Sequence, residues 1–295
     1  MKNRVVVTGA AGMLGRDVVK VLEEQGLDVT ALSRKELDIT EKGQCASLLK
    51  DIRPEIVINC AAFTKVDLCE EESTLAFDVN AKGPKNLANV CKEIGTKLVH
   101  ISTDYVFDGT SSRPYREDDQ PNPINIYGKS KLQGEEAVRK SDADHLIVRT
   151  SWLFGKNGPN FIRTMLKLSR EKELVQVVDD QRGRPTYTKD LARGIALLIE
   201  KGAFGTVNFA NSGSCSWYEL CCFVLEQAGI KNVKVVPVSS EIFKRPAKRP
   251  RYSVLDLSRF KAITGTSPRS WKEAVKGYLE EMGLALGPGT TRGKD

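Results

Sequence analysis

A glycine-rich segment directly after the first apolar run constrains the fold of this chain most strongly. Residues 8–15 read T-G-A-A-G-M-L-G, a G-x-x-G-x-x-G pattern between the apolar run Arg4–Thr8 and a helical stretch. Glycines at such a turn let the backbone approach a pyrophosphate, and the helix N-terminus presents unpaired N–H groups to it. The segment therefore predicts a dinucleotide-binding βαβ unit, although a tight turn without a ligand can have the same sequence.

The apolar runs over the first half of the chain predict a parallel sheet. Continuous apolar runs are typical of strands whose two faces are both covered by helices. Helical stretches that stop at glycine or before proline separate these runs. The predicted strands are Arg4–Thr8, Val29–Leu32, Glu55–Cys60, Lys97–Ile101 and His145–Thr150, and the predicted helices are Leu14–Gln25, Glu41–Ile52 and Leu75–Ile94, the last with Pro84 as a point of kinking.

The fold class that follows is α/β: a Rossmann-type doubly wound parallel sheet with a smaller, interwoven α/β substrate-binding lobe. After about residue 150 the pattern loosens into shorter strands and helices, which indicates the second lobe. We predict an NAD(P)-binding domain from residues 1–150 and about 185–212, and a substrate-binding lobe from about 151–184 and 213–284. Residues 285–295 are predicted to be a flexible tail.

Composition argues against several classes of protein. The 295 residues carry 45 Lys and Arg against 38 Asp and Glu, a net charge of +7, and contain no apolar run of membrane-spanning length. Seven cysteines without a C-x-x-C motif favour reduced thiols, and the N-terminus does not have the pattern of a signal peptide. We therefore expect a cytoplasmic protein with no membrane partner. The basic loop 244–251 has no interleaved aromatic residues, so we expect no nucleic-acid partner.

The residues after the second predicted strand bear on the choice of cofactor. A cofactor with a free ribose 2′-hydroxyl usually meets an acidic side chain there, whereas this sequence has Ser33 and Arg34. Because a guanidinium can bind a 2′-phosphate through two nitrogens, we predict NADPH, with NADH as a second choice. Asp38 and Ile39, a little further along, are predicted to flank the adenine.

Tyr127 and Lys131 form the candidate catalytic pair. Their i,i+4 spacing puts both side chains on one face of a predicted helix. A free tyrosine has a pKa near 10, and a nearby ammonium can lower that pKa so that the phenol exchanges a proton with a carbonyl group. Such a pair is common by chance, but Ser102–Gly109 follows the fourth predicted strand, at the sheet edge where open α/β folds bind ligands, and offers hydroxyls to a carbonyl oxygen.

Taken together, these motifs resemble the extended short-chain dehydrogenase/reductase superfamily, in particular its reductases of dTDP-linked 4-keto sugars. The similarity covers nearly all of residues 4–283 and rests on several motifs in the same order. They are the glycine turn at 9–15, N-C-A-A-F-T-K-V-D at 59–67, S-T-D-Y-V-F-D-G at 102–109, Y-G-K-S-K at 127–131, R-T-S-W-L-F-G at 149–155, D-Q-R-G-R-P-T at 180–186 and R-P-R-Y-S-V-L-D at 249–256.

The resemblance implies NADPH-dependent reduction of the 4-keto group of dTDP-6-deoxy-L-lyxo-4-hexulose to dTDP-L-rhamnose. It implies Thr103 as the catalytic hydroxyl, Tyr127 as the proton donor, and Lys131 as the group that lowers the tyrosine pKa and holds the nicotinamide ribose. Asp104 and Trp152 match substrate contacts, with Trp152 as a flat wall for the sugar. Ser33 and Arg34 depart from the family, many of whose members carry an acidic residue there, so NADH as the sole cofactor is not expected. Besides Gly9, Gly12 and Gly15 of the turn, the cofactor contacts that the resemblance implies are Met13, Leu14, Asp38, Ile39, Ala61, Ala62, Thr64, Tyr127 and Lys131.

Other polar residues receive simpler interpretations. Four arginines are candidates for binding the pyrophosphate of the substrate, with solvated surface residues as the alternative: Arg182, Arg184, Arg249 and Arg251. His100 and His145 are predicted to be half-buried structural residues of strands. No group of His, Cys and Asp has metal-ligand spacing, so we predict no metal.

Two further functions remain open at this point. A sugar-nucleotide epimerase or dehydratase would share the glycine turn and the Tyr/Lys pair, although a dehydratase is expected to have two adjacent carboxylates where this chain has only Asp104. A non-catalytic relative could bind NADP and regulate a partner enzyme, because fold does not imply function. A homodimer is also compatible with the sequence.

Overall fold

A computed structural model describes residues 4–284. The tail predicted at 285–295 lies outside the described residues. In chain order the helices and strands are β1 Arg4–Thr8, α1 Met13–Glu24, β2 Asp28–Leu32, α2 Lys42–Ile52, β3 Ile56–Asn59, α3 Val66–Glu71, α4 Ser73–Phe77, a π-helical turn Asp78–Lys82, α5 Gly83–Ile94, β4 Lys97–Thr103, α6 Ile126–Lys140, β5 His145–Thr150, β6 Leu153–Phe154, α7 Phe161–Glu171, β7 Leu174–Val178, β8 Arg182–Gly183, β9 Thr186–Tyr187, α8 Thr188–Glu200, β10 Gly205–Asn208, β11 Cys215–Ser216, α9 Trp217–Gln227, β12 Lys234–Val238, α10 Ser258–Thr264 and α11 Trp271–Glu281.

Six parallel strands form the central sheet in the order β10-β5-β4-β3-β1-β2. The strand order reverses between β1 and β3, because the chain moves outward from β1 to β2 and then crosses back to β3 on the other side of β1. Such reversals leave a crevice at the carboxyl ends of the strands, where open α/β folds bind ligands. The predicted fold class, a Rossmann-type doubly wound sheet, is confirmed.

Apolar side chains cover both faces of the sheet. One core cluster joins β1, β4 and β5 to α1 and α8, and another joins the opposite face to α2 and α5. The strands are buried on both sides for this reason, which explains their continuous apolar runs. Among residues 4–284, no helix is both long and apolar enough to span a membrane.

The second half of the chain builds a smaller layer beside the sheet. A third core cluster packs α7, α9 and α11 around β7, with the parallel pair β7–β12 at its edge. The chain is interwoven, since β10 returns to pair with β5 of the main sheet. The predicted division into two domains stays a prediction. Within it, α10 was assigned to the smaller lobe, but its Phe260 packs into the first core beside α8.

The helix predicted for 75–94 is interrupted just before Pro84, the residue predicted to disturb it, although the interruption is a π-helical turn at Asp78–Lys82 and not a simple kink. Pro84 has no N–H to donate to the carbonyl of Asn80, four residues earlier, and its ring would crowd that carbonyl in a regular helix. The wider turn removes the conflict. The freed Asn80 carbonyl lies so close to α6 that a β-carbon on Gly134 would be 2.2 Å from its oxygen.

Candidate active site

The glycine turn after β1 forms a cradle for a phosphate group. Gly9 has φ +64°, and a β-carbon there would lie 2.5 Å from the backbone nitrogen of Ala61. A β-carbon on Gly15 would lie 2.3 Å from the Gly9 oxygen, so both positions require glycine. Within the described residues, α1 begins after Gly12 without a side-chain cap or an acidic residue in its first turn. Its positive end therefore remains available to an anion, and the cradle fits the dinucleotide pyrophosphate.

The other predicted cofactor contacts lie around this cradle. Met13 contacts the 155–158 segment, since β-carbons on Gly155 and Gly158 would approach its side chain within 3.3 and 3.0 Å. Leu14 and Ile39 are buried, Ala61 and Ala62 are half-buried, and Thr64 is exposed. Their role in cofactor binding stays a prediction.

The turn after β2 differs from its sequence interpretation in one respect. No carboxylate was expected there, but the Glu36 carboxylate folds back and accepts hydrogen bonds from the backbone N–H of Ser33, at 2.8 Å, and from the Ser33 hydroxyl. These bonds hold the pKa of Glu36 below its usual value. The acidic group that usually follows the second strand is thus supplied three residues later, because a helical turn at 33–37 brings Glu36 back over Ser33.

Arg34 forms an ion pair with Asp38 in the same turn. Its Nε donates to Asp38 at 3.1 Å, while the side chain remains 74% exposed. Asp38 also accepts hydrogen bonds from the backbone and hydroxyl of Thr40. The side chain of Asp38 therefore positions Arg34, and within residues 4–284 no hydrogen bond engages the terminal nitrogens of the guanidinium. A contact between these nitrogens and a 2′-phosphate stays a prediction.

Two close backbone approaches position the helix α6 that carries Tyr127 and Lys131. A β-carbon on Gly128 would lie 2.1 Å from the carbonyl oxygen of Tyr105, and Gly134 meets the Asn80 carbonyl in the same way. The Asn125 side chain caps the helix by accepting from the N–H of Gly128 at 2.8 Å. These contacts bring α6 against the segment that follows β4, so the two halves of the candidate site meet.

Thr103, Asp104 and Tyr127 come together where β4 ends. The Thr103 hydroxyl donates to Asp104 Oδ1 at 3.1 Å and accepts from the N–H of Tyr105. The ring of Tyr105 contacts that of Tyr127 edge to face, at 5.7 Å between centroids. Loss of water raises the pKa of Tyr127 above its usual value; the Thr103 hydroxyl opposes this shift and the Asp104 charge adds to it.

Asp104 is buried, and its Oδ2 has no hydrogen-bond partner among the described residues. Burial raises the pKa of Asp104 to about 7, despite the nearby hydroxyls of Ser253 and Thr103. An unpaired buried carboxyl oxygen beside the Thr103 hydroxyl is a suitable contact for a sugar hydroxyl. Whether the substrate binds there stays a prediction.

The ammonium group of Lys131 is directed at β4. Lys131 is buried, its Nζ donates to the carbonyl of Ile101 at 2.6 Å, and His100 Nε2 lies 3.4 Å away. Burial lowers the pKa of Lys131 to about 8. Burial raises the pKa of Tyr127, and a lowering of that pKa by Lys131 stays a prediction. The sequence placed both residues on one helix face, but the direction of the ammonium depends on β4.

Trp152 does not offer a free face to a sugar. Its ring stacks on Trp217 with 3.5 Å between centroids and 6° between planes. Gly183 covers the other face, since a β-carbon there would lie 2.5 Å from Cε2 of Trp152. The aromatic wall interpretation is therefore wrong for the ring faces, and contact with a substrate is limited to the ring edge. Trp152 also has φ +46°, a strained value for a residue with a side chain.

Three of the four candidate phosphate-binding arginines already have acidic partners, among them Arg251, which pairs with Glu241 at 3.6 Å. Arg249 binds Asp67 through two nitrogens at 2.8 Å each, and Arg182 pairs with Glu219 at 3.2 Å. Arg184 differs from them, because it is largely buried and its Nε has no partner among the described residues. Arg184 Nη1 donates to the carbonyl of Gly213 at 3.0 Å, and among the described residues this guanidinium has no acidic partner, which suits an anionic ligand better than a paired guanidinium does.

The sequence interpretation missed several residues around the site. His100, predicted to be half-buried, is fully buried because β4 is covered on both faces, and it contacts Lys131. Asn59 and Asp67 were noted only within a motif, and Glu36 was not considered. His145 is half-buried and bonds the carbonyl of Ala143. Residues 4–284 contain no group of three His, Cys, Asp or Glu side chains placed to hold a metal ion.

A glycine cradle on a doubly wound sheet, together with Thr103, Tyr127 and Lys131 at its carboxyl edge, defines an NAD(P)-dependent oxidoreductase of the extended short-chain dehydrogenase/reductase class. A family model described as RmlD substrate binding domain matches residues 2–284, and the chain belongs to that family. The predicted superfamily is therefore confirmed.

Relatives of known name cover almost the whole chain. The dTDP-4-dehydrorhamnose reductase of Streptomyces griseus is 45% identical over 278 residues, 92% of this chain and 91% of the relative. The spore coat polysaccharide biosynthesis protein SpsK of Bacillus subtilis is 43% identical over 282 residues, 96% of this chain and 99% of the relative.

Solved structures agree with the fold. The dTDP-4-dehydrorhamnose reductase of Bacillus anthracis, in complex with NADP, has a TM-score of 0.92 at 43% identity and covers 95% of this chain and 100% of its own. The UDP-glucose 4-epimerase of Thermus thermophilus, in complex with NAD, has a TM-score of 0.83 at 22% identity, with 96% and 100% covered, and shows the fold alone.

Proposed function

We propose that this protein reduces the 4-keto group of dTDP-6-deoxy-L-lyxo-4-hexulose to give dTDP-L-rhamnose, with NADPH as the reductant. The observation that carries the proposal is the contact between the Thr103 hydroxyl and Tyr127 at the carboxyl end of β4, with Lys131 one turn further along α6 and bonded to Ile101 of the same strand. Reductases of this substrate class are 37–45% identical to the chain, and one of them binds NADP.

The chain supplies proton transfer and orientation. Bound NADPH supplies a hydride to the keto carbon. The phenol of Tyr127 donates its proton to the oxygen of the same carbonyl group as negative charge develops there, and the Thr103 hydroxyl turns from Asp104 to hydrogen-bond that oxygen. The raised pKa of Tyr127 suits this direction, because a reductase needs its proton donor protonated.

The remaining residues hold the two ligands. The glycine cradle and the N-terminus of α1 take the cofactor pyrophosphate, and Arg34 takes the 2′-phosphate. Lys131 holds the nicotinamide ribose. Asp104, the edge of Trp152, Arg182, Arg184 and Arg249 contact the dTDP-sugar, with the last three arginines near its diphosphate. A cytoplasmic location and a homodimer stay predictions, testable by fractionation and by light scattering.

The decisive test follows NADPH absorbance at 340 nm with the dTDP-keto sugar generated in situ, beside NADH and a UDP-linked keto sugar. We expect stoichiometric oxidation with formation of dTDP-L-rhamnose. Epimer formation without net NADPH loss would replace the proposal with an epimerase. Tight NADPH binding without turnover of any sugar nucleotide would indicate a regulatory binding protein.

A further inference from the structure

Five buried side-chain atoms of residues 4–284 have no hydrogen-bond partner, and three of them lie where the neighbouring strands β4 and β5 end. The five atoms are Ser102 Oγ, Asp104 Oδ2, Thr150 Oγ1, Arg184 Nε and Asn208 Oδ1. A buried polar atom without a partner costs the folded chain free energy, so its presence calls for a ligand or a bound water. Asp104 and Arg184 already have proposed contacts. Thr150 has none, although it is only 4% exposed.

The register of the sheet places Thr150 beside Thr103. The two residues are partners in the parallel pairing of β4 with β5, and each is the last residue of its strand. Partner residues of neighbouring parallel strands point to the same face of the sheet, and the strands lie about 5 Å apart. The Thr150 hydroxyl is therefore one strand further along the same edge of the sheet than the Thr103 hydroxyl.

The face to which Thr150 points is the one where the glycine cradle leads into α1. Val148, two residues before Thr150, belongs to the core cluster that includes Leu14 of α1, and side chains two residues apart on a strand share a face. The opposite face of β5 is turned toward α6, since Arg149 binds Glu135 there. The Thr150 hydroxyl thus lies on the cofactor side of the sheet.

The strand order indicates which part of a dinucleotide would reach this hydroxyl. Across the sheet, the candidate 2′-phosphate contact follows β2, the cradle follows β1, the Thr103 hydroxyl ends β4, and β5 comes next. The nicotinamide ring carries its carboxamide on C3, beside the C4 that gives the hydride, in the half of the ring remote from the ribose. With C4 at the carbonyl group that Thr103 binds, the carboxamide extends toward the next strand, β5.

We propose that the Thr150 hydroxyl binds the carboxamide of the nicotinamide ring and so fixes the rotation of that ring against the keto carbon. The inference rests on the proposed function, because it assigns a further cofactor contact to the same site. A hydroxyl can donate to the carboxamide oxygen or accept from its amino group. The neighbouring hydroxyl of Ser151 is already engaged, since it donates to the carbonyl of Arg184 at 2.7 Å.

The stability of the protein without cofactor gives the first test. Valine has nearly the shape of threonine, so Thr150→Val removes an unpaired buried hydroxyl without leaving a cavity. We expect this variant to be at least as stable as the parent in urea unfolding. Thr96→Val is the matched control, because Thr96 is also buried but its hydroxyl donates to the Pro54 carbonyl at 2.6 Å, just before β4 at the opposite edge of the sheet.

The control variant should lose stability, because it leaves the Pro54 carbonyl without its partner. An equal loss in Thr150→Val would show that the Thr150 hydroxyl is bonded in the free protein, and it would overturn the proposal.

Calorimetric titration with two ligands tests the contact itself. NADPH and 2′-phospho-ADP-ribose share every group that the cradle and Arg34 would bind, but the second ligand has no nicotinamide ring. We expect Thr150→Val to raise the Kd for NADPH about tenfold, the effect of one lost hydrogen bond. The Kd for 2′-phospho-ADP-ribose should stay unchanged, and Thr96→Val should change neither value.

The comparison of the two ligands separates a contact from a general disturbance of the site. An equal loss of both ligands in Thr150→Val would assign the residue a structural role, and unchanged values for both would mean that water satisfies the hydroxyl; either result would refute the carboxamide contact. These measurements need no sugar nucleotide and no turnover. A failed titration therefore leaves the reductase assay intact, and a failed assay leaves the titration intact.

Discussion

At the scale of single residues, Tyr127 combines a raised pKa with contact to the Thr103 hydroxyl. Replacing it with phenylalanine keeps the ring packed against Tyr105 but removes the transferable proton. We predict that Tyr127→Phe lowers kcat at least ~10²-fold, the usual scale of general acid catalysis, with an unchanged Kd for NADPH. Steady-state kinetics and a fluorescence titration measure the two quantities. A variant with the original kcat would exclude Tyr127 as the donor.

Asp104 and Asp108 should change the free energy of unfolding in opposite directions as pH rises, because folding raises the pKa of Asp104 and lowers that of Asp108. The pKa of Asp104 is raised to about 7 in the folded chain, against about 3.9 when unfolded. The folded state therefore binds more protons between these values, and its stability falls as pH rises from about 4 to about 7. We predict that Asp104→Asn removes this fall, so that the variant gains stability relative to the parent over that range.

Asp108 is the matched control, because four hydrogen bonds from Thr110, Asn122 and Tyr115 lower its pKa to about 2. Its stabilising effect develops between about pH 2 and 4 and is complete above that. Asp108→Asn should thus lose stability by an amount that is constant from pH 5 to 7. Urea unfolding at several pH values compares both variants. An Asp104→Asn curve parallel to that of the parent would contradict the raised pKa.

At the scale of elements, the turn after β2 contains both a cation and an anion at the predicted ribose site. Arg34 should favour a 2′-phosphate, whereas the Glu36 carboxylate should repel it and accept from a 2′-hydroxyl. We predict that Arg34→Ala raises the Kd for NADPH about tenfold and hardly changes that for NADH. Glu36→Gln should shift the preference the other way, toward NADPH.

Calorimetric titration of each variant with NADPH and with NADH measures these preferences without turnover. Lys35→Ala is the control, because Lys35 is exposed in the same turn and its side chain takes no part in the Ser33 and Asp38 contacts. Equal loss of both cofactors in Arg34→Ala would refute the 2′-phosphate contact. An unchanged ratio in Glu36→Gln would remove Glu36 from cofactor selection.

At the scale of the whole molecule, Asp67 on α3 binds the basic loop 244–251. Asp67 on α3 binds Arg249 through two nitrogens and also accepts from Arg245 and from the N–H of Ala247. The loop lies against α3 for this reason. We predict that Asp67→Asn raises the rate of tryptic cleavage at the loop severalfold, because the charge that holds the two arginines is lost.

Limited proteolysis followed by mass spectrometry locates the cut. Asp51→Asn, an exposed substitution on α2, should leave the rate at its original value. Faster cleavage throughout the Asp67→Asn protein, instead of at the loop, would indicate global destabilisation and argue against a local tie. The result also bears on substrate binding, since a diphosphate would compete with Asp67 for Arg249.

The sequence by itself determined the features that depend on local chemistry. β1 and β5 have the predicted bounds because apolar runs and stop signals act over a few residues. The glycine turn, the i,i+4 pair of Tyr127 and Lys131, and the fold class also follow from spacing alone.

Only the tertiary structure decided which polar groups face one another. Two of these contacts join segments that are distant in sequence: His100 contacts Lys131, and Trp217 stacks on Trp152. A third contact is local, because the chain turns back and brings Glu36 onto Ser33. Burial then sets the protonation of Asp104, Tyr127 and Lys131, because removal of water penalises charge wherever packing excludes it. The type of side chain sets the ordinary pKa of a group, and the folded environment shifts that pKa and so determines whether the group is protonated.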